Sequence, residues 1–147
     1  MSLQDQLKSE MKQAMLAKDK ARLGAIRLVM AEIKQKEVDT RTTLGDDEVI
    51  TVLTRMVKQR KDSISQFEAA GRQDLADVEQ AEIRVLETFL PQPLGEDELD
   101  ALIVAAIAEL GASGMQAMGA VMNVLRPKIQ GRADMGAVSA KVKARLA

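Results

Sequence analysis

The chain has 147 residues, 46% of them apolar, with 21 basic and 22 acidic side chains and a formal net charge of -1. It holds no cysteine and no histidine, which excludes disulfides, thiolate metal sites, the usual zinc ligand and the usual general base at neutral pH. Phe67 and Phe89 are the only aromatics among abundant Ala, Leu, Val, Met and Ile, and there are three prolines, a composition that favours an all-α fold in one or two domains.

The first element is predicted from Leu3, where Leu3, Leu7, Met11 and Ala14 recur at helical steps along one buried stripe and stop near Lys18. Asp19 is placed to cap a second helix that carries Leu23, Ile26, Met30 and Ile33 inward and Lys34, Lys36 and Glu37 outward. Residues 38–44 lose the period and read as a loop. At Leu44-Gly45-Asp46-Asp47-Glu48-Val49 the acids suit the positive end of a third, long helix, with Leu44 packing on Val49. That helix runs through Leu53, Met56, Ile64 and Phe67 to Gly71. Asp74 is expected to cap a fourth, with Leu75, Val78, Leu86 and Phe89 along its buried face. Pro91-Gln92-Pro93 ends it, since proline offers no N–H and restricts the residue before it. The expected organisation is therefore an N-terminal helical domain of about four helices over 1–92 and a small three-helix domain over 93–147.

The second domain opens with the same start signal, Leu94-Gly95-Glu96-Asp97-Glu98-Leu99, and its first helix runs to Gly111. The next presents Met115, Met118, Met122, Leu125 and Ile129 as a stripe, and Pro127 within it is expected to kink or weaken that helix. Gly131 closes it, Asp134 caps the last helix, and Val138, Val142 and Leu146 form that helix's buried face. Gly119 fits either close helix packing or close approach of a ligand.

Charge is distributed unevenly. Residues 111–147 carry Arg126, Lys128, Arg132, Lys141, Lys143 and Arg145 against Asp134 alone, a net of +5 that leaves -6 for the preceding residues. A basic end points to a polyanion, and RNA is the first candidate; the bland alternative is that cations simply favour helix C-termini. A second possible phosphate contact is Arg55, Lys58, Arg60 and Lys61, a run that also reads as a solvated helix face. With no Trp or Tyr and both phenylalanines on core faces, contacts would be to phosphate rather than by base stacking. Ser9-Glu10-Met11-Lys12 and Gly111-Ala112-Ser113-Gly114 match short catalytic and RNA-binding patterns without the companions those patterns need. No metal site, cofactor site or catalytic constellation emerges. The start lacks a secretory signature and the apolar run Ala101–Ala108 is too short to span a bilayer, so the expected compartment is cytoplasmic.

Ala17-Lys18-Asp19-Lys20, Val57-Lys58-Gln59-Arg60-Lys61-Asp62-Ser63-Ile64, Ala70-Gly71-Arg72-Gln73-Asp74-Leu75-Ala76 and Met118-Gly119-Ala120-Val121-Met122 through Gly131-Arg132-Ala133-Asp134 to Val138-Ser139 resemble the GatB/YqeY family in one order along the chain. The resemblance implies an all-helical protein whose tail is similar to the last domain of the GatB subunit of tRNA-dependent amidotransferase, a tRNA-contacting appendage. It also brings a family label of carbon–nitrogen ligase activity with glutamine as amido donor. This sequence has no cysteine for glutamine hydrolysis and no synthetase-like or kinase-like core. The expectation is a non-catalytic tRNA-associated protein; its rival is an adaptor that binds an aminoacylation or amidotransferase component.

Overall fold

A computed structural model describes Met1–Ala147. The chain is all-helical, without strands: α1 (Leu3–Leu16), α2 (Lys20–Thr40), α3 (Asp46–Ala69), α4 (Gln73–Glu87), α5 (Glu96–Leu110), α6 (Met118–Ile129) and α7 (Met135–Leu146), with one 3-10 turn at Met115–Ala117 before α6. It forms two compact units, Met1–Pro91 and Gln92–Ala147.

In the first unit α1 and α2 make a hairpin, and α3 packs along α4. Leu7, Ile26, Val29, Leu53, Ile83 and Leu86 meet in a core from which water is excluded. Ser2 opens α1 with a reciprocal cap: its hydroxyl accepts from Asp5 N–H while Asp5 accepts from Ser2 N–H. Asp19 caps α2 as its sequence position implies, accepting from Arg22 N–H at 3.1 Å.

Three expectations change here. First, α2 does not stop at Glu37 but continues to Thr40. The Thr40 hydroxyl donates back to Lys36 C=O at 2.8 Å, and Arg41 ends the helix at φ +55° with its N–H on Glu37 C=O. Second, α4 starts one residue before Asp74. Arg72 holds the cap position, and its guanidinium takes both Asp74 carboxylate oxygens at 3.1 and 3.0 Å. Asp74 is thus a first-turn acid held by an arginine, and that pairing keeps its carboxyl below the usual range. Third, Val78 is exposed, because Ala76, Ile83 and Leu86 form the buried stripe of α4.

Glu37 also departs from its expected outward role. Its carboxylate accepts from Leu44 N–H at 2.8 Å and from Gln4 at 3.1 Å, so it ties the 41–45 loop to α1 and α2 while Leu44 enters the core. The Leu44 N–H, then Gln4, hold the Glu37 carboxyl below its ordinary value. A depressed carboxyl contributes stability that is full above its unfolded value and is lost as pH falls through the folded one. The protection factor of the Leu44 amide, its exchange relative to the intrinsic rate at the same pH, is therefore expected to fall as pH drops below about 4, beyond the change at core amides such as Leu53. Unchanged relative protection between neutral pH and that range would refute this tie.

The second unit buries Ile103, Val121, Leu125, Ile129, Val138 and Val142. Gly111 ends α5 at φ +57°, a left-handed position that a side chain would strain. The methionine stripe is only partly as expected. Met122 is buried, but Met115 lies in the 3-10 turn and is 44% exposed. Helix α6 passes through Pro127 and ends at Ile129. Proline there removes only the hydrogen bond to Asn123 C=O, in the last turn, where few bonds remain to be lost.

Candidate functional site: the helical tail

The turn between α6 and α7 is built by three neighbours. Gly131 takes φ +74°, Arg132 N–H donates to Ile129 C=O at 2.9 Å, and Asp134 caps α7 by accepting from Ala137 N–H at 3.2 Å. Ser139 Oγ lies 4.0 Å from Met122 Sδ and α7 also packs against the 3-10 turn, so α7 runs back along α6. Arg126 and Lys128 therefore sit near the 131–134 turn, and Lys143 and Arg145 near the start of α6. About eight residues of helix, roughly 12 Å, separate the two pairs.

The six tail cations are not equivalent. Lys141 Nζ reaches Asp100 at 3.0 Å and Glu96 at 3.7 Å; the Asp100 hydrogen bond raises its pKa above the ordinary lysine value. Of the two residues that flank the α6–α7 turn, Asp134 is exposed and Arg132 is half-buried. Arg132 Nε donates to Gln92 C=O at 2.9 Å, its own carbonyl accepts from Leu94 N–H at 2.8 Å, and its guanidinium stands 4.0 Å from Glu98. It clasps residues 92–94 onto the α6–α7 turn. That leaves Arg126, whose guanidinium also meets Asn123 at 3.1 Å, with Lys128, Lys143 and Arg145. All four are exposed, and no carboxylate pairs with them.

The +5 excess read along residues 111–147 is thus partly cancelled in space. Helix α5 brings the acids that Lys141 and Arg132 need, and the unit from Gln92 to Ala147 holds six acids and six bases. Pairs such as Asp100 and Lys141, 41 residues apart, leave no trace in local spacing.

The second candidate patch divides likewise. Arg60 is only 13% exposed at its side chain and is held by Glu82 at 2.7 Å and Glu79 at 3.9 Å, so it joins α3 to α4. Arg55 meets Glu32 at 3.4 Å across α3 and α2. Lys58 and Lys61 alone are exposed and unpaired. Gly119 sits in the first turn of α6 with nothing within 4 Å of where a Cβ would stand, so close helix packing is not its explanation in this fold. No polar residue is buried, no three carboxylates converge as a metal site would need, and no single helix is long and apolar enough to cross a membrane.

Among known families, the one described as Yqey-like protein matches residues 4–146. The chain is similar to proteins named altered inheritance of mitochondria protein 41, mitochondrial. That of Kluyveromyces lactis is 40% identical over 111 residues, 73% of this chain and 60% of the relative. That of Pyrenophora tritici-repentis is 32% identical over 140 residues, 93% of this chain and 77% of the relative. That of Saccharomyces cerevisiae is 36% identical over 95 residues, 64% of this chain and 51% of the relative. Against these yeast relatives the chain spans about half to three-fifths of their length. Their names overturn the cytoplasmic expectation. It rested on the absence of a secretory signature and of a membrane-length apolar run, and neither argument bears on import into an organelle.

Proposed function

We propose, from the premise that this chain belongs to the YqeY-like family, that it is a non-catalytic tRNA-associated protein of two separately folding domains. Its tail docks on the RNA backbone, in the manner of the GatB tail domain it resembles. One observation carries this reading: Arg126, Lys128, Lys143 and Arg145 stand exposed without carboxylate partners at the ends of α6 and α7, while the neighbouring Arg132 and Lys141 are engaged by the fold. Two pairs of free cations roughly 12 Å apart offer two contact points to a phosphate backbone. Phe89 is buried beneath the Arg22 guanidinium, 5.9 Å from its centre, and Phe67 is half-buried, so stacking on bases contributes nothing and phosphate contact dominates. The sequence has neither histidine nor cysteine, so neither the usual general base at neutral pH nor a thiol nucleophile is available to it.

The test is a gel shift of full-length protein with labelled total tRNA across salt concentrations. Four phosphate contacts predict an affinity that falls about 50- to 150-fold between 50 and 200 mM salt. No complex at 50 mM, or a complex indifferent to salt, would refute the reading. The second reading, an adaptor for an aminoacylation or amidotransferase protein, is favoured by the exposed apolar side chains of Leu110 and Met115; it predicts a salt-tolerant complex with protein and no retention of RNA.

A further inference from the structure

Helices α1 and α2 enclose an open cleft of about 400 Å³ whose floor includes Leu7, Met30 and Ile33. Its rims are basic. Lys8 and Lys34 line it, and Lys12 and Arg27 extend the same two helix faces, one turn beyond Lys8 and two turns before Lys34. All four are exposed and form no salt bridge.

The acids of this hairpin are committed elsewhere. Glu10 holds Arg22 and Glu32 holds Arg55, Asp5 and Asp19 cap their helices, and Asp39 accepts from Gln35. Glu37, the one acid lining the cleft, is bonded to Leu44 N–H and Gln4. Lys8 is near enough to Asp5 and Glu37 to help hold both carboxyls down, but within salt-bridge distance of neither. Residues 1–41 carry nine bases and six acids, an excess concealed by the chain's overall -1.

The complementary surface is on α5. Between Ala101 and Ala108 this helix is apolar all round, yet Ala101, Val104, Ala105 and Ala108 face solvent, with Val104 47% exposed. A helix of that kind is ordinarily covered on every side. Its bare stripe is bracketed by Asp97 and Glu109, both exposed and without a salt bridge. These acids lie twelve residues apart, roughly 18 Å, against roughly 10 Å between Arg27 and Lys34. The excess of about 4 Å at each end is within the reach of lysine and arginine side chains. Small residues along the stripe let a second helix approach closely.

We propose that the α1–α2 cleft is a self-association site that receives the outer face of α5 from a second copy of the chain. The stripe meets Met30 and Ala31, the apolar residues of the cleft that are open to solvent, and acid brackets meet basic rims. Each copy carries both the cleft and the α5 face, so two copies that exchange the contact reciprocally form a twofold pair. An RNA occupant is disfavoured at this site, because phosphate gains nothing from an apolar floor. The inference is independent of the tRNA reading.

Analytical ultracentrifugation of the full chain without RNA tests it. The wild type is expected to shift from the 16.0 kDa monomer toward twice that mass as concentration rises through the micromolar range. Lys34→Glu and Glu109→Lys alter exposed residues that bear no structural bond, and each alone should raise the dimer dissociation constant at least tenfold. Mixed in equal amounts the two variants should pair again, since each reversed rim then meets a reversed bracket. Ala31→Trp, which fills the cleft from an exposed position, should abolish pairing without altering charge. A wild type that stays monomeric to several hundred micromolar overturns the proposal. So does a mixture that fails to pair, or a filled cleft that leaves pairing intact, provided circular dichroism shows native helix content.

Discussion

Replacing Leu125 by alanine is expected to unfold the C-terminal unit at 25 °C while leaving the N-terminal unit native. Leu125 is fully buried at the centre of α6, among Val121, Ile129, Val138 and Val142. Truncating such a leucine costs about 3–5 kcal/mol, the sum of lost transfer energy and of a cavity that the surroundings only partly fill. The unit from Gln92 to Ala147 is small, and a core of that size rarely supplies more than about 3–5 kcal/mol in total. The cost and the reserve are therefore about equal, so roughly half or more of the C-terminal units should be unfolded. Leu53→Ala in the larger unit removes an equally buried leucine from a bigger core and should lower its melting temperature without unfolding it. Amide exchange resolved by residue reads both outcomes. If Leu125→Ala strips protection from α2 and α3 as well, the two units share one cooperative transition and the proposal of separately folding domains fails. Met115→Ala, at a 44% exposed position, is the control and should shift stability by less than about 0.5 kcal/mol.

Much of the fold was legible because its signals are local. Caps at Asp19, Gly45, Gly95 and Asp134, a glycine at the end of α5, and apolar residues at three- and four-residue steps each act within one turn of helix. The misreadings have local causes too. At residues 38–40 the polar surface of α2 has no apolar period to display, yet the helix persists because the Thr40 hydroxyl donates to Lys36 C=O and the Arg41 and Thr42 N–H groups donate to Glu37 C=O. Asp74 has the chemistry of a cap but sits inside the first turn, because Arg72 holds the cap position and binds the same carboxylate, a pairing that propensity does not signal. Met115 joined the stripe by spacing alone, whereas Gly114, at φ +79°, forces a 3-10 turn that rotates it outward. The site was less legible than the fold. Which tail lysine is free depends on whether α5 places an acid beside it, and that is settled by packing between helices far apart in the chain. A charge count along residues 111–147 weights Lys141 and Lys143 equally; in the folded chain one is tied to Asp100 and the other faces water.

That distinction makes the sharpest test of the RNA reading a comparison between two sets of tail cations. Reversing Lys128, Lys143 and Arg145 to glutamate should weaken tRNA binding by on the order of 100- to 1,000-fold at 50 mM salt and lower the salt slope by about 0.7–0.9 for each contact removed. These side chains make no specific bond within the tail, so its stability should fall only by what acids in the last turns of α6 and α7 cost, about 0.3–1 kcal/mol each, and affinity is compared per folded molecule. Arg132→Gln and Lys141→Gln are expected to do the reverse. The first releases Gln92 and leaves Glu98 without its neighbour, and the second strands Asp100 beside Glu96. Both should make the tail less stable, while tRNA affinity per folded molecule stays within about threefold of wild type. Removing charge in general would weaken binding in every variant, and an unfolded tail would weaken it in step with lost stability. Only a backbone-binding face made of the unpaired cations separates the two effects. Equal losses of affinity in both sets would mean that the carboxylates beside Arg132 and Lys141 yield to phosphate, and that the exposed four are not the site.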